Sequence, residues 1–434
     1  MELFIALIGF LIISYILFKH PDISISLLVS IETFGLIIES LFGYNSPIIS
    51  RAGIFITLLV VIKYGFNNIL QILVKSKIIR YSFFFLVWFI ITNPESSLLY
   101  DTNAERLWAF TFIQLIALAV LAGMVFKKDE SRMKVLFIFS LFSLISGLIP
   151  FLQSGFIIGQ TRMETINFAG LTGGANTAVR NYIISIIFMA YFLISKKGYY
   201  IKIFSVISIL LLIIISIITF SRAGLILLTF CFMSFFIKIL KREYIPHLLL
   251  FLFITLVILI VFMQTQFWDL IILSLFRGAD YNILYGAKDI YSSVYYNIRW
   301  DLLFSGLKMF AGSPIYGVGI GEYSMSVGDY LPYYIPEKYT YLGAHNMYIQ
   351  VLAETGLIGF ILFIMVMVKC FQYLIIAMRS KHNDNNIAYI IFTAFSVILI
   401  GGFFKHDHYI KILWFLIGMC VSYEVAPKKR LHPF

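Results

Sequence analysis

The stretch IFSVISILLLIIISIITFSRAGLILLTFCFMSFF, residues 203–236, decides the fold. It is largely apolar except at Ser221-Arg222-Ala223-Gly224. At ~1.5 Å per residue, a single helix of this length would far overrun a hydrocarbon layer ~30 Å thick. The stretch therefore reads as two spans folded back on each other. Gly224 relaxes the reversal, and almost no loop remains to carry Arg222 away from the membrane edge.

The rest of the chain agrees with a lipid solvent. Hydrophobic residues make up 61% of the 434 positions and charged residues 13%, a balance that a soluble domain reaches only with large exposed apolar patches. Met1–Phe18 and His247–Phe262 are further runs almost free of charge. A β-barrel would instead alternate apolar and polar positions along ~10-residue segments. The sequence thus predicts an all-α, polytopic membrane helix bundle forming one domain over residues 1–434. Spans are expected near 3–18, 22–42, 50–66, 80–93, 107–126, 135–152, 181–195, 203–220, 224–238, 247–266, 346–368, 387–403 and 410–424. The segment Phe66–Val74 reads as weakly amphipathic and leaves the count at twelve or thirteen. Met1–His20 has no basic start and no small-residue cleavage site, so it reads as a first span.

The net charge of +11 falls in short alternate loops, among them those at Lys75–Arg80, Lys127–Lys134, Lys196–Lys202, Lys238–Arg242 and Arg379–Lys381. By the positive-inside rule these loops are cytoplasmic, and the charge sets orientation instead of serving a nucleic acid. The loops near 94–106, 153–180, 219–224 and 267–345 then face the other side. The last is the one long loop, expected to be periplasmic. Its Trp300 and many tyrosines suit sugar rings or an interfacial belt equally well. Cys231, Cys370 and Cys420 lie in apolar runs without ligand spacing and read as packing residues.

Three polar constellations interrupt the apolar pattern. Arg222 offers a fork of donors matched to phosphate oxygens, unless it snorkels to headgroups. His345 opens the run Gly343-Ala344-His345-Asn346-Met347-Tyr348-Ile349-Gln350, which leads into a span through Glu354, Gly356 and Gly359. Helical spacing puts positions 345, 348, 352, 356 and 359 on one stripe, where the glycines admit a neighbouring helix and Glu354 points away. His345 is suited to accept a proton from a hydroxyl, or else simply binds a carbonyl. Arg299 is a second anion clamp or the partner of Asp301 or Glu322. The run Gly312–Gly321 favours turns, and no preceding strand makes it a dinucleotide fingerprint. No Asp-x-Asp pair marks a metal-dependent nucleotide-sugar site, so activated sugar is expected on lipid. His406-Asp407-His408 reads as solvated punctuation in preference to a metal site. Glu32 and Glu39 are intrahelical partners of polar groups or part of a transport path.

Together, Ser221-Arg222-Ala223-Gly224, Arg299 ahead of Pro314-Ile315-Tyr316-Gly317-Val318-Gly319, and His345-Asn346 with nine residues before Gly356-Leu357-Ile358-Gly359 resemble the O-antigen ligase and Wzy-type O-antigen polymerase superfamily. The resemblance covers roughly residues 200–370. It implies a glycosyltransferase C-like fold, an undecaprenyl-diphosphate-linked glycan donor, and no metal or other cofactor. Carried over residue by residue, it implies that Arg222 and Arg299 hold the diphosphate, with Arg180 as a third cation, and that His345 activates the attacking hydroxyl. Asn346, Tyr348, Gly356 and Gly359 support that element.

The expected function is polymerisation, moving a growing glycan onto the non-reducing end of another lipid-linked repeat unit at the periplasmic face of a bacterial inner membrane. Partners would be that lipid-linked glycan, membrane lipid and a chain-length regulator. The alternatives are a ligase acting on lipid A-core or a protein, and, lower, a lipid-glycan transporter.

Overall fold

A computed structural model of the chain describes residues 14–30, 48–92, 108–153, 175–195, 198–219, 221–239, 291–332, 342–380, 385–405 and 408–425. Among these residues the only regular structure is helix. In chain order the helices are α1 (Pro21–Ser30), α2 (Ile48–Tyr64), α3 (Phe66–Lys75), α4 (Lys77–Thr92), α5 (Trp108–Val125), α6 (Asp129–Gln153) and α7 (Ala175–Ile194). They continue with α8 (Tyr199–Ile218), α9 (Arg222–Ile239), α10 (Tyr291–Gly312), α11 (Glu322–Tyr330), α12 (Met347–Arg379), α13 (Asn385–Gly401) and α14 (Lys411–Glu424). Among the described residues five helices are long and apolar enough to cross a membrane, or six if one bent pair counts as a single span. The chain is a polytopic helical membrane protein. The expected span at 247–266, much of 3–18 and 22–42, and Glu32 and Glu39 lie outside the described residues.

Lipid offers helices no hydrophobic reason to associate, so small side chains and satisfied polar groups hold the bundle together. The α5–α14 pair shows the first device: a β-carbon on Gly418 would stand 2.5 Å from the Ala119 carbonyl oxygen, and one on Gly123 would stand 2.7 Å from Val421 Cγ1. Buried hydroxyls show the second. Ser82 donates to Ile78 O at 3.0 Å, Ser185 to Asn181 O at 2.9 Å and Ser140 to Leu136 O at 2.8 Å, closing each donor onto its own helix. Helix α7 is buried against α6, α8 and α13, whereas α8 turns Ile203, Val206, Ile207, Leu210 and Ile214 outward.

Ion pairs gather at the end of the bundle that the charge pattern made cytoplasmic. Arg132 meets Asp129 at 2.6 Å and lies over the Tyr423 ring at 3.8 Å, and Lys134 meets Asp22 at 3.0 Å. Glu424 accepts the Lys77 amide at 2.6 Å and the Ile78 amide at 3.3 Å.

One expectation at this end is corrected. Phe66–Val74 is strongly amphipathic: Gly65, at φ 76°, turns the chain so that α3 runs at 91° to residues 55–64. Phe66, Leu70 and Leu73 form an exposed apolar stripe, while Asn67, Asn68, Gln71 and Lys75 occupy the opposite arc and Ile72 anchors one edge. This amphipathic pattern is the one expected of a helix along a membrane surface.

Candidate functional site

The site is built around a break in α12. Gly356 adopts φ 62° and ψ −169° within that helix, a conformation that side-chain-bearing residues rarely reach. The break interrupts the i→i−4 ladder, and the turn between α10 and α11 replaces the lost bonds. The Val318 amide donates to Ala353 O at 2.9 Å and the Gly319 amide to Glu354 O at 3.0 Å, while the Leu357 amide donates to Pro314 O at 2.9 Å. This corrects the stripe drawn through positions 345–359. Gly356 admits the backbone of Ile315 and Tyr316, not a neighbouring helix, because the helix does not continue straight through it. Gly359, past the break, does meet a neighbour, Trp88 of α4. Trp88 stacks on Tyr316 at 5.6 Å and 11° and donates to Thr355 O at 2.9 Å.

At the start of α12, the Asn346 side chain caps the helix by accepting the amides of Tyr348 and Ile349 at 3.0 and 3.1 Å. The Tyr348 hydroxyl donates to Leu399 O at 2.6 Å. His345 precedes this cap with φ 50°, the one positive φ outside glycine among the described residues. Burial, then the charges of Arg299 and Lys405, lower its pKa to about 4. The imidazole is therefore neutral at physiological pH and able to accept a proton.

Short contacts connect the segment after His345 to the segments that carry Lys405, α7 and the start of α9. The Met347 amide donates to Gly402 O at 2.6 Å, joining α12 to the segment after α13. In that segment Lys405 donates to the Thr177 hydroxyl of α7. One residue earlier, Asn176 accepts the Ser221 hydroxyl at 2.7 Å, and Ser221 in turn accepts the Gly224 amide at 3.0 Å, capping α9 where Arg222 begins it. The backbone of Arg222 thus lies at the same end of the bundle as His345; its side chain lies outside the described part. Arg180 is buried to 1% exposure on α7, with its Cδ 4.0 Å from where a β-carbon on Gly401 would stand. Arg299 is exposed on α10 beside the exposed Trp300.

Two residues escaped the sequence reading. Lys405 lies in a loop that the charge pattern leads one to expect on the external side, and that departure from the positive-inside pattern was the available signal. His408 is not solvated: it is buried, 3.9 Å from the carboxylate of Glu354, stacked on Phe112 at 6.1 Å, with its carbonyl accepting Trp414 Nε1 at 2.8 Å. His406 and Asp407 lie outside the described residues. Trp300, Phe304 and Tyr316 remain exposed near the site, whereas Tyr323 is buried and donates its hydroxyl to Leu302 O.

These features describe a multispan membrane protein in which the His345 segment, Lys405 and the start of α9 meet at one end of the bundle. Residues 206–364, from α8 into α12, match the family model described as O-Antigen ligase, and this part of the chain is similar to that family. Members of the family are glycosyltransferase-like enzymes acting on lipid-linked glycans. No curated protein matches the chain.

Proposed function

We infer that the protein is an O-antigen polymerase of the periplasmic face of a bacterial inner membrane, extending a lipid-linked repeat unit from an undecaprenyl-diphosphate-linked donor. The observation that carries this reading is the junction of four chain segments at one bundle end: His345, the Ser221 cap of Arg222, Lys405, and the buried Arg180 of α7. In the proposed step His345 takes the proton of the acceptor hydroxyl. The hydroxyl oxygen then attacks the anomeric carbon, and the bond from that carbon to the diphosphate breaks. Arg222 and Arg299, aided by Arg180, hold the charge that develops on the leaving diphosphate. Tyr316 on Trp88, and Trp300 beside Phe304, offer exposed faces for acceptor sugars. A chain-length regulator is the expected protein partner.

Deleting the protein tests the acceptor. Lipopolysaccharide capped with single repeats supports the polymerase, while complete loss of O-antigen with accumulating lipid-linked polymer supports a ligase. The ligase is the second reading, favoured by the description of the matched family. Vesicles containing the purified chain test the reaction: movement of a labelled lipid-linked unit without a new glycosidic bond would replace both readings with a transporter.

A further inference from the structure

Glu354 takes no part in the step above, yet it is 1% exposed and its partners belong to segments that shape the site. Gln350 Nε2 donates to one carboxylate oxygen at 3.0 Å, His408 Nε2 lies 3.9 Å from the other, and the backbone amides of Gly321 and Tyr323 also donate to the group. Because Gln350 Nε2 donates to Glu354, the NH2 side of the Gln350 amide is turned toward that residue. The Gln350 carbonyl must then face the other way, where it accepts the Ala344 amide at 3.2 Å.

That bond falls immediately before His345. A left-handed backbone at a residue with a side chain is strained and persists only where its surroundings hold it. Here the Ala344 amide is held on one side and the Met347 amide, bound to Gly402 O at 2.6 Å, on the other. The first of these two restraints depends on which way the Gln350 amide points, and Glu354 sets that direction.

We propose that Glu354 is the positioning residue of the site: by orienting the Gln350 amide it holds the left-handed turn that aims the His345 imidazole at the acceptor. This rests on the reading of His345 as the base. His408, clamped by Phe112 and Trp414, lies 3.9 Å from the other carboxylate oxygen and walls that side of the group.

The test uses the full chain in lipid vesicles with four variants: Glu354→Gln, Gln350→Ala, the two combined, and the exchange of Gln350→Glu with Glu354→Gln. Two properties are read: amide hydrogen exchange of the peptide holding Ala344–Asn346, and kcat and donor KM for glycan transfer. With a second amide at position 354, Gln350 is free to flip. Exchange at the turn should rise and kcat fall about tenfold, with donor KM within about twofold because the diphosphate clamp is untouched. Glu354→Gln should add little in the Gln350→Ala background. The exchange pair, which returns an acceptor to the Ala344 amide, should recover most of the loss. A Glu354→Gln variant with native protection at Ala344–Asn346, or additive losses in which KM and kcat change together, would overturn the proposal. Should Glu354→Gln fail to fold, Gln350→Ala alone reports on the same link: unchanged exchange there also overturns it. If the unaltered chain transfers no glycan while the exchange results hold, the reading of His345 as a base fails and the control of the turn by Glu354 stands.

Discussion

Gly317 and Gly356 pack backbone against backbone: a β-carbon on Gly317 would stand 2.6 Å from the Gly356 amide nitrogen, and one on Gly356 would stand 2.2 Å from Ile315 O. Both residues also have positive φ, 77° and 62°. The turn after α10 and the break in α12 are therefore one joint made from two distant pieces of sequence.

Gly356→Ala and Gly317→Ala should each destabilise the protein by more than about 2 kcal/mol, since left-handed strain is joined by a clash with backbone that cannot yield. Gly65→Ala is the control. It has a similar φ of 76° but open space around it, so only the strain, about 1 kcal/mol, should appear. Thermal unfolding in detergent separates the two cases, and equal effects at Gly65 and Gly356 would refute the joint.

His345 has a folded pKa of about 4, below the usual 6.5, so the unfolded chain binds its proton more readily. Its contribution to stability is present above about 6.5 and is lost as pH falls toward about 4. In the donor complex the diphosphate would neutralise Arg299 and Lys405, raising the imidazole pKa. The acid limb of kcat should then lie at higher pH than that of kcat/KM. Coincident limbs would show that donor charge does not reach His345.

Lys405→Ala removes one of the two charges that repel protonated His345. The pKa of the free protein should rise, measured as the pH dependence of His345 modification by diethylpyrocarbonate. Donor KM should increase at the same time. An unchanged titration would remove Lys405 from the site.

Gly418→Val forces α14 away from Ala119 and Ala122 on α5. A loss of roughly 2–4 kcal/mol or a failure to accumulate in the membrane is expected, by analogy with overpacking in other tight interiors. Wild-type melting in detergent would contradict the contact.

The exposed stripe of α3 should touch acyl chains. A fluorophore attached at Leu70→Cys should be quenched by brominated lipid, and one at Gln71→Cys much less. Equal quenching would mean that the helix does not lie along the surface.

Helices were legible because lipid imposes long apolar runs whatever the partners are: the expected boundaries near 107–126 and 410–424 differ from α5 and α14 by only a residue or so, whereas the stretch expected at 346–368 belongs to a helix that runs on to Arg379. That Arg222 opens a helix and His345 lies just before one was legible for the same reason, since each interrupts or ends such a run. Local periodicity could not reveal the break at Gly356, because the hydrogen bonds that permit it come from residues 314–319. Nor could it place His408 against Glu354, a pairing of residues far apart in the chain. Amphipathy in α3 was visible as a pattern, but its meaning required the right-angled turn at Gly65.

Because the Ala353 and Glu354 carbonyls find their donors in the segment that precedes them, α12 cannot sit in hydrocarbon as a self-sufficient rod. The segment is synthesised first and must be docked when the helix arrives. A chimera that imports this stretch from a relative without the matching start of α12 would leave the Ala353 and Glu354 carbonyls without their donors. The turn at Pro314–Gly319 and the start of α12 therefore have to be exchanged together.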